Sequence, residues 1–251
     1  MSKRQEMRDK RRRERIRNQI LVIALVVAGA LLITFALVLP TIENLNQAAN
    51  ATMQPIVTAV PKTVEVSEDG KSMGDPNAPV KMDVWEDFQC SGCMYYSINI
   101  EPAIIQNYIA TGKVFYTYHF YTIIDGGNTS GESHQAANAA MCALEQDSFW
   151  DYHDELYANW LGENVGSYTD KRLTAMAEGL GLDMGDFEKC FEANTYADVI
   201  NQDIVDGQAL DISSTPSIFI NGLKPESSKG PQYIPSIEDL SAFIDAILAN
   251  K

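Results

Sequence analysis

Basic residues are scarce through most of this 251-residue chain. Nine of its 19 Lys and Arg residues lie within the first 17 positions, together with three of its 34 acidic residues. The remainder therefore carries ten basic against 31 acidic side chains. A surface of that charge repels the phosphate backbone of nucleic acids, so we expect no nucleic-acid partner.

An internal repeat and a nucleotide-binding loop are also absent from the sequence. The Gly126-Gly127 pair lacks the strand-to-helix context of a phosphate cradle. Hydrophobic residues make up 45% of the chain, which is enough for one good-sized core, and the composition is not that of a disordered protein. We expect no cofactor.

Residues 20–39 form an apolar run of twenty residues without a charge. At about 1.5 Å rise per residue, a helix of this length crosses the roughly 30 Å hydrocarbon layer of a membrane. The basic segment before it, 1–19, should stay cytoplasmic, which places everything after the run outside. A cleaved signal peptide is the alternative, because Ala49 and Ala51 resemble a cleavage site. The run is longer than a signal core and that pair lies well beyond its end, which favours an uncleaved transmembrane anchor.

The rest of the chain divides into a linker and a globular region. Residues 40–61 are polar and rich in alanine, with proline at both flanks, as is typical of a tether. The region 62–250 begins with alternating turn, strand and helix patterns. Its first predicted elements are strands at 62–66 and 80–88, a helix over 91–110 interrupted at Pro102, and a strand over 112–121.

Residues 131–210 have a different pattern from the segments around them. Apolar residues recur there at spacings of three and four, which predicts four or five helices without a strand. A short strand follows within 215–222, and Asn221-Gly222 at its end indicates a hairpin turn with a return strand at 232–234. A helix capped by Ser236 ends the chain. The predicted fold is therefore α/β, a small sheet core with an all-helical insertion at about 131–210.

Cys90 and Cys93 are two of four cysteines, and they lie where a predicted strand gives way to a helix. The thiolate is the nucleophile in disulfide exchange, and the unpaired N–H groups and dipole of a helix N-terminus stabilise it. Ser91 and Gly92 open this helix. We therefore expect Cys90 to be the attacking thiol and Cys93, one turn later and more buried, to be the resolving thiol.

Zinc binding and a structural staple are the alternatives for this pair. The C-x-x-C spacing is also half of a zinc site, to which Cys142, Cys190 and the chain's histidines could contribute. The second cysteine pair is not closely spaced, however, and an exported domain favours disulfides, so we expect no metal. A structural bridge between Cys90 and Cys93 would close too short a loop to constrain the unfolded chain.

Four stretches of the sequence together carry a family resemblance: APVKMDVWEDFQCSGC, AANAAMCALEQDSFWDYHDELY, FEKCFEAN and SSTPSIFING. They resemble the membrane-anchored DsbA-like thiol:disulfide oxidoreductases, whose thioredoxin fold carries an inserted helical domain. The likeness covers roughly residues 62–250. It implies that Cys90 is the nucleophile and Cys93 the resolving cysteine, and that Thr215-Pro216 is a substrate-binding loop with a cis-proline facing the disulfide.

The same resemblance implies that Cys142 and Cys190 form a structural disulfide, with a second redox relay as the alternative. The disulfide would close a loop of about 49 residues, which stabilises the fold by roughly 3 to 4 kcal/mol in the chain-entropy model.

Two positions depart from the family pattern. Ser91 stands where a proline commonly follows the first cysteine, and Val84 stands where a buried acid is often found, six residues before the nucleophile. Glu86 lies two residues later on the same strand face, as a substitute proton acceptor for Cys93 or as a solvated strand-end carboxylate. Phe88 is expected in the core or in the groove, where it would flank the peptide site. The redox potential is left open between about −270 mV for thioredoxin and about −120 mV for DsbA.

The expected function is the formation of disulfides in exported polypeptides. A reductase or isomerase of the same fold and a redox-inert thioredoxin-like binding module are the alternatives. The family implies reoxidation by a quinone-linked membrane partner of the DsbB or vitamin K epoxide reductase-like (VKOR) type. The expected location is the cell membrane, with a single span, a cytoplasmic N-terminus and an extracytoplasmic catalytic domain.

Overall fold

The computed structural model describes residues 15–16, 18–23, 25–36, 38–39 and 64–250. They belong to two compact units, the first near the N-terminus and the second containing 64–250. Most of the predicted basic segment and the predicted linker, 40–61, lie outside the described residues.

Helix α1 (Asn18–Ala36) accounts for the first unit and overlaps the predicted anchor. Its length and composition suit a membrane crossing, and in the part of the chain that the structure describes no second helix meets that test. A signal sequence near the N-terminus has the same properties. The helix is therefore compatible with a single-pass anchor.

Four strands form the sheet of the second unit, in the spatial order β1-β3-β2-β4. The two central strands are parallel, and each outer strand is antiparallel to its neighbour. The strands are β1 (Ser72–Met73), β2 (Val80–Glu86), β3 (Val114–Phe120) and β4 (Ser217–Ile220).

The central strands follow the period of two in their sequences. In β3, Val114, Tyr116, Tyr118 and Phe120 are buried and alternate with partly exposed residues, so one face of the strand packs into the core. Strand β2 begins with the same alternation and ends with three buried residues in succession, the last being Glu86. The strand thus carries a carboxylate into the interior at its carboxyl end.

Helices α4 to α8 fill the chain between β3 and β4 without an intervening strand, which confirms the predicted helical insertion. The helices of the second unit are α2 (Ser91–Asn99), α3 (Glu101–Ile104), a π-helical turn (Ile105–Ile109), α4 (Glu132–Leu144), α5 (Phe149–Ala158), α6 (Asp170–Gly179), α7 (Met184–Glu192), α8 (Ala197–Ala209) and α9 (Ile237–Ala249).

Two helix boundaries follow from local chemistry, as the sequence predicted. Helix α2 ends before Ile100, and Pro102 lies in the first turn of α3, where its missing N–H is tolerated. Ser236 caps α9: its side chain accepts a hydrogen bond from the N–H of Asp239, whose carboxylate accepts one from the N–H of Ser236.

Two predicted strands are wrong. The described part of the predicted strand at 62–66 forms only an isolated bridge, between Val66 and Met73. Met73 belongs to the two-residue strand β1, which the sequence pattern does not indicate. Residues 232–234 form no return strand, because Pro231 and Pro235 on either side cannot donate to a ladder. The Asn221-Gly222 turn leads instead to one bridge between its flanking residues.

A disulfide joins Cys142 on α4 to Cys190 on α7, with an S–S distance of 2.06 Å. Both cysteines are buried in the core of the second unit. This core is rich in aromatic side chains, and the largest fully buried ones are Tyr96, Tyr116, Tyr118, Tyr152, Tyr157, Tyr168, Phe88, Phe120, Phe149 and Phe187.

Candidate active site

Cys90 lies at the N-terminus of α2, four residues after β2 ends. It is the residue before the first helical turn, with φ −72° and ψ 123°, and its carbonyl oxygen accepts a hydrogen bond of 3.0 Å from the N–H of Met94. Its own N–H donates to the carbonyl oxygen of Asp87 at 2.9 Å. The side chain therefore leaves the backbone beside the unpaired amides of the helix start.

The Sγ atom of Cys90 is only partly buried and is surrounded by donors. The Cys93 thiol lowers the pKa of Cys90 to about 6, helped by the Thr215 side chain and by the N–H groups of Gly92 and Cys93 and opposed by burial. As a thiol, Cys90 donates to the carbonyl oxygen of Thr215 at 3.3 Å. Cys90 is therefore largely a thiolate at neutral pH in the reduced protein.

Cys93 has the opposite environment. Its side chain is fully buried, and the N–H of Asp87 donates to its Sγ at 3.5 Å. Burial, the hydrogen bond with Cys90 and the charge of Glu86 raise the pKa of Cys93 well above its ordinary value. Of the two thiols, one thus ionises readily and the other retains its proton.

The Thr215-Pro216 peptide bond is cis and faces the start of α2. A Cβ added at Gly92 would lie 3.2 Å from Pro216 Cδ, 3.3 Å from Ile234 Cδ1 and 3.4 Å from the Thr215 carbonyl oxygen. Glycine at this position therefore permits the close approach of loop and helix. The Thr215 hydroxyl oxygen is buried and makes no hydrogen bond of ordinary geometry to the described residues, but it lies close enough to Cys90 to lower the pKa of that thiol. Ser91 is exposed to solvent.

A groove of about 370 Å³ begins at Pro216 and continues along the segment between β4 and α9. Its lining combines apolar side chains with Lys224 and Glu226. A second groove, of about 520 Å³, shares Tyr233 and Ile234 with it and reaches Tyr95 on α2. Pro216 and Ile234, which line the first groove, are also the side chains nearest to Gly92 in the first turn of α2.

Glu86 is buried at the end of β2 with 1% of its surface exposed. Tyr157 donates its hydroxyl hydrogen to Glu86 Oε2 at 2.8 Å, and Tyr116 lies 3.5 Å from Oε1. Burial, with a contribution from the nearby Glu101, raises the pKa of Glu86 to about 8. The expectation of a solvated strand-end carboxylate is therefore wrong, because the strand enters the core here.

Glu101 and His153 lie beside Glu86, and both are buried. A donor atom from each of the three groups lies within 4.8 Å of the other two, a spacing that could also hold a metal ion. The sequence pattern does not single out Glu101. A carboxylate among the apolar residues of 100–105 was the feature that could have indicated it as a site residue. The Nδ1 atom of His153 lies 3.0 Å from Asp154 Oδ1.

Phe88 does not flank a peptide site, because it is 1% exposed and its ring packs against Tyr118, Phe120, His153 and Tyr157. Its position after the strand turns the ring inward beneath the helical insertion.

Two of the zinc donors considered from the sequence, Cys142 and Cys190, are joined to each other in a disulfide, so neither has a free thiolate for a metal ion.

The helical insertion holds the turn that leads to Cys90 through three hydrogen bonds to main-chain or side-chain atoms of 88–89. Trp160 donates to the carbonyl oxygen of Gln89 at 2.8 Å, and Tyr168 donates to that of Phe88 at 3.0 Å. The N–H of Asn164 donates to the Gln89 side chain at 2.7 Å. None of these partners was indicated by the motif around the cysteines.

The sequence of this chain is similar to a known family and to curated relatives. A family model described as thioredoxin matches residues 66–246. A curated relative, the probable disulfide bond formation protein D of Bacillus cereus, is 29% identical over 154 residues, which cover 61% of this chain and 70% of the relative.

Two solved structures share the fold. BdbD of Bacillus subtilis in its oxidised form has a TM-score of 0.62 and 21% identity, covering 74% of this chain and 96% of its own. DsbA of Chlamydia trachomatis has a TM-score of 0.60 and 17% identity, covering 79% and 98% respectively. At these identities, the two likenesses show that the fold is shared.

Proposed function

This chain belongs to the thioredoxin family, and from that premise we propose that it is a DsbA-like thiol:disulfide oxidoreductase that forms disulfides in exported polypeptides through Cys90 and Cys93. The observation that carries the proposal is the contrast between the two thiols. The pKa of Cys90 is lowered to about 6, whereas that of the buried Cys93 is raised.

This contrast favours oxidation of the substrate over reduction. A thiol of low pKa is a good leaving group, and stabilising the reduced protein makes its disulfide a stronger oxidant. The stabilised Cys90 thiolate supplies both effects. A reductase would gain from a reduced form that gives up its electrons readily, which the donors around Cys90 oppose.

The reaction begins when a substrate thiolate attacks Cys90 Sγ of the oxidised protein. A new substrate–Cys90 disulfide forms, the Cys90–Cys93 bond breaks, and its electron pair leaves on Cys93, which takes up a proton. A second substrate thiol loses its proton and attacks the substrate sulfur of the mixed disulfide. Cys90 then leaves as a thiolate, so the substrate is oxidised by two electrons and the protein is reduced by two.

Substrate binding is assigned to Thr215, Pro216 and the groove that begins there. A proline at position 216 has no N–H to compete for the Cys90 sulfur, and the carbonyl oxygen of Thr215 can accept a hydrogen bond from an extended peptide. Gly92 keeps this loop close to the helix start, and the exposed Ser91 sits at the mouth of the site.

Glu86 is assigned as the proton donor and acceptor for Cys93. The carboxyl group is buried close enough to Cys93 for its charge to raise the pKa of that thiol. With a pKa of about 8, Glu86 holds a proton at neutral pH and can release it to the sulfur as the disulfide opens. The same carboxyl takes the proton back when the disulfide forms again.

Each cycle leaves a dithiol, so an oxidant must follow. We assign this role to a quinone-linked membrane protein of the DsbB or VKOR-like type, which would accept two electrons from Cys90 and Cys93. Helix α1 would keep the domain at the same membrane, with the basic N-terminal residues in the cytoplasm and the cysteines outside. Cys142 and Cys190 stay joined through this cycle as a structural disulfide.

The test is a redox titration of the full chain in detergent against glutathione, with oxidation of a reduced, unfolded substrate as the activity readout. We expect a potential above about −250 mV and no activity in Cys90→Ser. In Cys93→Ser, Cys90 should attack oxidised glutathione, release reduced glutathione and accumulate as the Cys90–glutathione mixed disulfide, because no resolving thiol is present. A lower potential would contradict the oxidase and favour a reductase or isomerase. Unchanged activity in Cys90→Ser would leave only a redox-inert binding module.

A further inference from the structure

Glu86 is one of three ionisable groups enclosed behind Cys93. Glu101 comes from the first turn of α3 and His153 from the middle of α5, and both are at most 1% exposed. No hydrogen-bond partner among the described residues satisfies Glu101 Oε1 or His153 Nε2. One donor or acceptor atom from each of the three residues nevertheless lies within 4.8 Å of the other two, a span that one bridging water covers.

His153 is held by its neighbours, and its second nitrogen has no hydrogen-bond partner among the described residues. Asp154 lies at its Nδ1 atom, and Phe88 and Tyr157 pack against the ring at centroid distances of 5.8 and 4.9 Å. A carboxylate at one nitrogen fixes the orientation of an imidazole and leaves the other for chemistry. The ring is therefore positioned by its neighbours before any proton moves.

Charge balance requires the three groups to act together. Two ionised carboxylates without a cation would be costly in this buried position, and so would an isolated imidazolium. Burial lowers the pKa of His153, but the charges of Glu101, Asp154 and Glu86 outweigh it and raise that pKa to about 9. Burial also raises the pKa of Glu101, and the charge of His153 opposes that rise. One imidazolium at neutral pH can thus offset one carboxylate of the pair while the pair keeps one exchangeable proton.

We propose that Glu101 and His153 are positioning residues for the proton transfer between Glu86 and Cys93, acting in opposite directions on the affinity of Glu86 for its proton. This inference rests on the proposed function and deepens it. The Glu101 carboxylate strengthens the hold of Glu86 on the proton through repulsion between like charges. The His153 imidazolium weakens that hold by stabilising the Glu86 carboxylate.

Other groups face the cluster from each packed element and complete its electrostatic surroundings. They are Cys90, Cys93, Tyr96 and Ser97 from the start of the site and α2, Tyr116 and Tyr118 from β3, and Asp154 and Tyr157 from α5. The tyrosine hydroxyls are neutral at physiological pH, because burial raises their pKa well above the ordinary value. The charges that change the proton affinity of Glu86 are therefore those of Glu101, His153 and Cys90, and Asp154 acts on Glu101 and His153.

The test follows the intramolecular attack of Cys93 on a mixed disulfide at Cys90. The reduced full chain in detergent is mixed with excess oxidised glutathione between pH 5 and 10, and the phase that does not depend on glutathione concentration is recorded. We expect its pH midpoint to rise in His153→Gln and to fall in Glu101→Gln. Glu86→Gln should slow the phase by about 100-fold, the lower range for a lost general base.

Matched controls separate this role from a structural one. His119→Gln removes a histidine that contacts Asp83 and Asp203, and Glu145→Gln removes a carboxylate at the end of α4 that accepts a hydrogen bond from Tyr196. Neither should move the midpoint. Carboxyl ¹³C NMR of the unmutated protein gives a second measurement, because it should show Glu86 and Glu101 titrating in coupled steps, and it needs no variant to fold.

Two kinds of result would overturn the inference, and a third would overturn the proposed function. Shifts in the same direction for His153→Gln and Glu101→Gln, or no shift in either, would leave the pair with a packing role only. A stoichiometric divalent metal in the purified protein, removed together with the three side chains, would make the cluster a metal site. If the unmutated chain fails to oxidise reduced substrate, the proposed function fails instead, which distinguishes the two.

Discussion

Trp160 donates its indole N–H to the carbonyl oxygen of Gln89 at 2.8 Å, and Gln89 is the residue immediately before Cys90. The side chain of Gln89 extends the contact, donating to Asp125 at 2.9 Å and to Ser133 at 3.0 Å. The turn between β2 and α2 is therefore fixed by the helical insertion as well as by the sheet. The geometry around Cys90 depends on both parts of the second unit.

A substitution at Tyr168 tests whether the geometry around Cys90 depends on the helical insertion. Its hydroxyl donates to the carbonyl oxygens of Phe88 and Leu156, at 3.0 and 2.9 Å. Tyr168→Phe keeps the ring and removes the donor, so we expect a loss of about 1 kcal/mol in the free energy of unfolding and an altered rate of Cys90 alkylation.

The matched control for this variant is Tyr121→Phe. Tyr121 is also buried and donates to a main-chain carbonyl oxygen, that of Ile212 at 2.7 Å, in a packing cluster separate from the core that contains Cys93. It should lose similar stability, measured by urea unfolding, with Cys90 alkylation unchanged. Equal alkylation rates in both variants would show that the insertion does not hold the redox turn.

Thr215 should tune the ionisation of Cys90 through its hydroxyl. This group lowers the pKa of Cys90 together with Cys93 and the helix-start amides. We expect Thr215→Val to raise the pKa of Cys90 above about 6, as read from thiolate absorbance at 240 nm in the reduced protein, and Thr215→Ser to keep it low. A low pKa in both variants would assign the effect to the Cys93 thiol and the helix-start amides.

The pH dependence of stability should follow the same ionisation. The pKa of Cys90 is lowered in the folded reduced protein from 9.0 to about 6. Its stabilising contribution is therefore complete above about pH 9 and is lost as the pH falls through 6. Urea unfolding of reduced protein and of Cys90→Ser should show a difference that shrinks over this range, and a constant difference would contradict the lowered pKa.

Removal of the Cys142–Cys190 bridge should cost stability without changing the redox chemistry. The cysteines are 48 positions apart, and a loop of that size contributes about 4 kcal/mol in the chain-entropy model. We expect the double variant Cys142→Ala/Cys190→Ala to unfold at lower urea concentration while its Cys90 pKa stays near 6. A changed rate of substrate oxidation at equal folded fraction would favour a second redox relay.

Local patterns were sufficient to predict much of the fold. The alternation in 114–120, the helical spacing across 131–210 and the break at Pro102 each depend on neighbours in sequence, and each element forms as expected. The strand at 232–234 was wrong because prolines outside its short pattern prevent pairing. Strand β1 has only two residues, too few for a period of two to be recognised.

The candidate site likewise contains residues that a local sequence pattern predicts and residues that it does not. Cys90 and Cys93 are close in sequence, so their spacing and the strand-to-helix change were visible. Glu101 and His153 meet Glu86 only through the packing of three separate elements, and no local pattern encodes that meeting. Burial of Glu86 also depends on the insertion, since Tyr157 on α5 supplies its 2.8 Å hydrogen bond.

Asp203 provides a final prediction, on how α8 is attached to the sheet. Its carboxylate lies 2.6 Å from Lys71 Nζ and accepts a hydrogen bond of 3.0 Å from the N–H of Phe120, with both charged side chains 11% exposed. Asp203→Asn would leave the Lys71 ammonium buried beside a neutral amide. We expect a loss of about 3 to 5 kcal/mol in the free energy of unfolding at pH 7.

The sign of the pH dependence follows from the direction of the pKa shift of Asp203. Burial raises that pKa, but the hydrogen bond with His119 and the charge of Lys71 outweigh it and lower the pKa below 3.8. The carboxylate therefore stabilises the fold fully above about pH 4, and this contribution is lost as the pH falls through the lowered value. Urea unfolding at pH 7 and at pH 3 should show a smaller difference between the unmutated chain and Asp203→Asn at the lower pH. Asp206→Asn, on the same helix but exposed, should change stability little at either pH, and an equal loss in the two variants would mean that the buried ion pair does not hold α8 to the sheet.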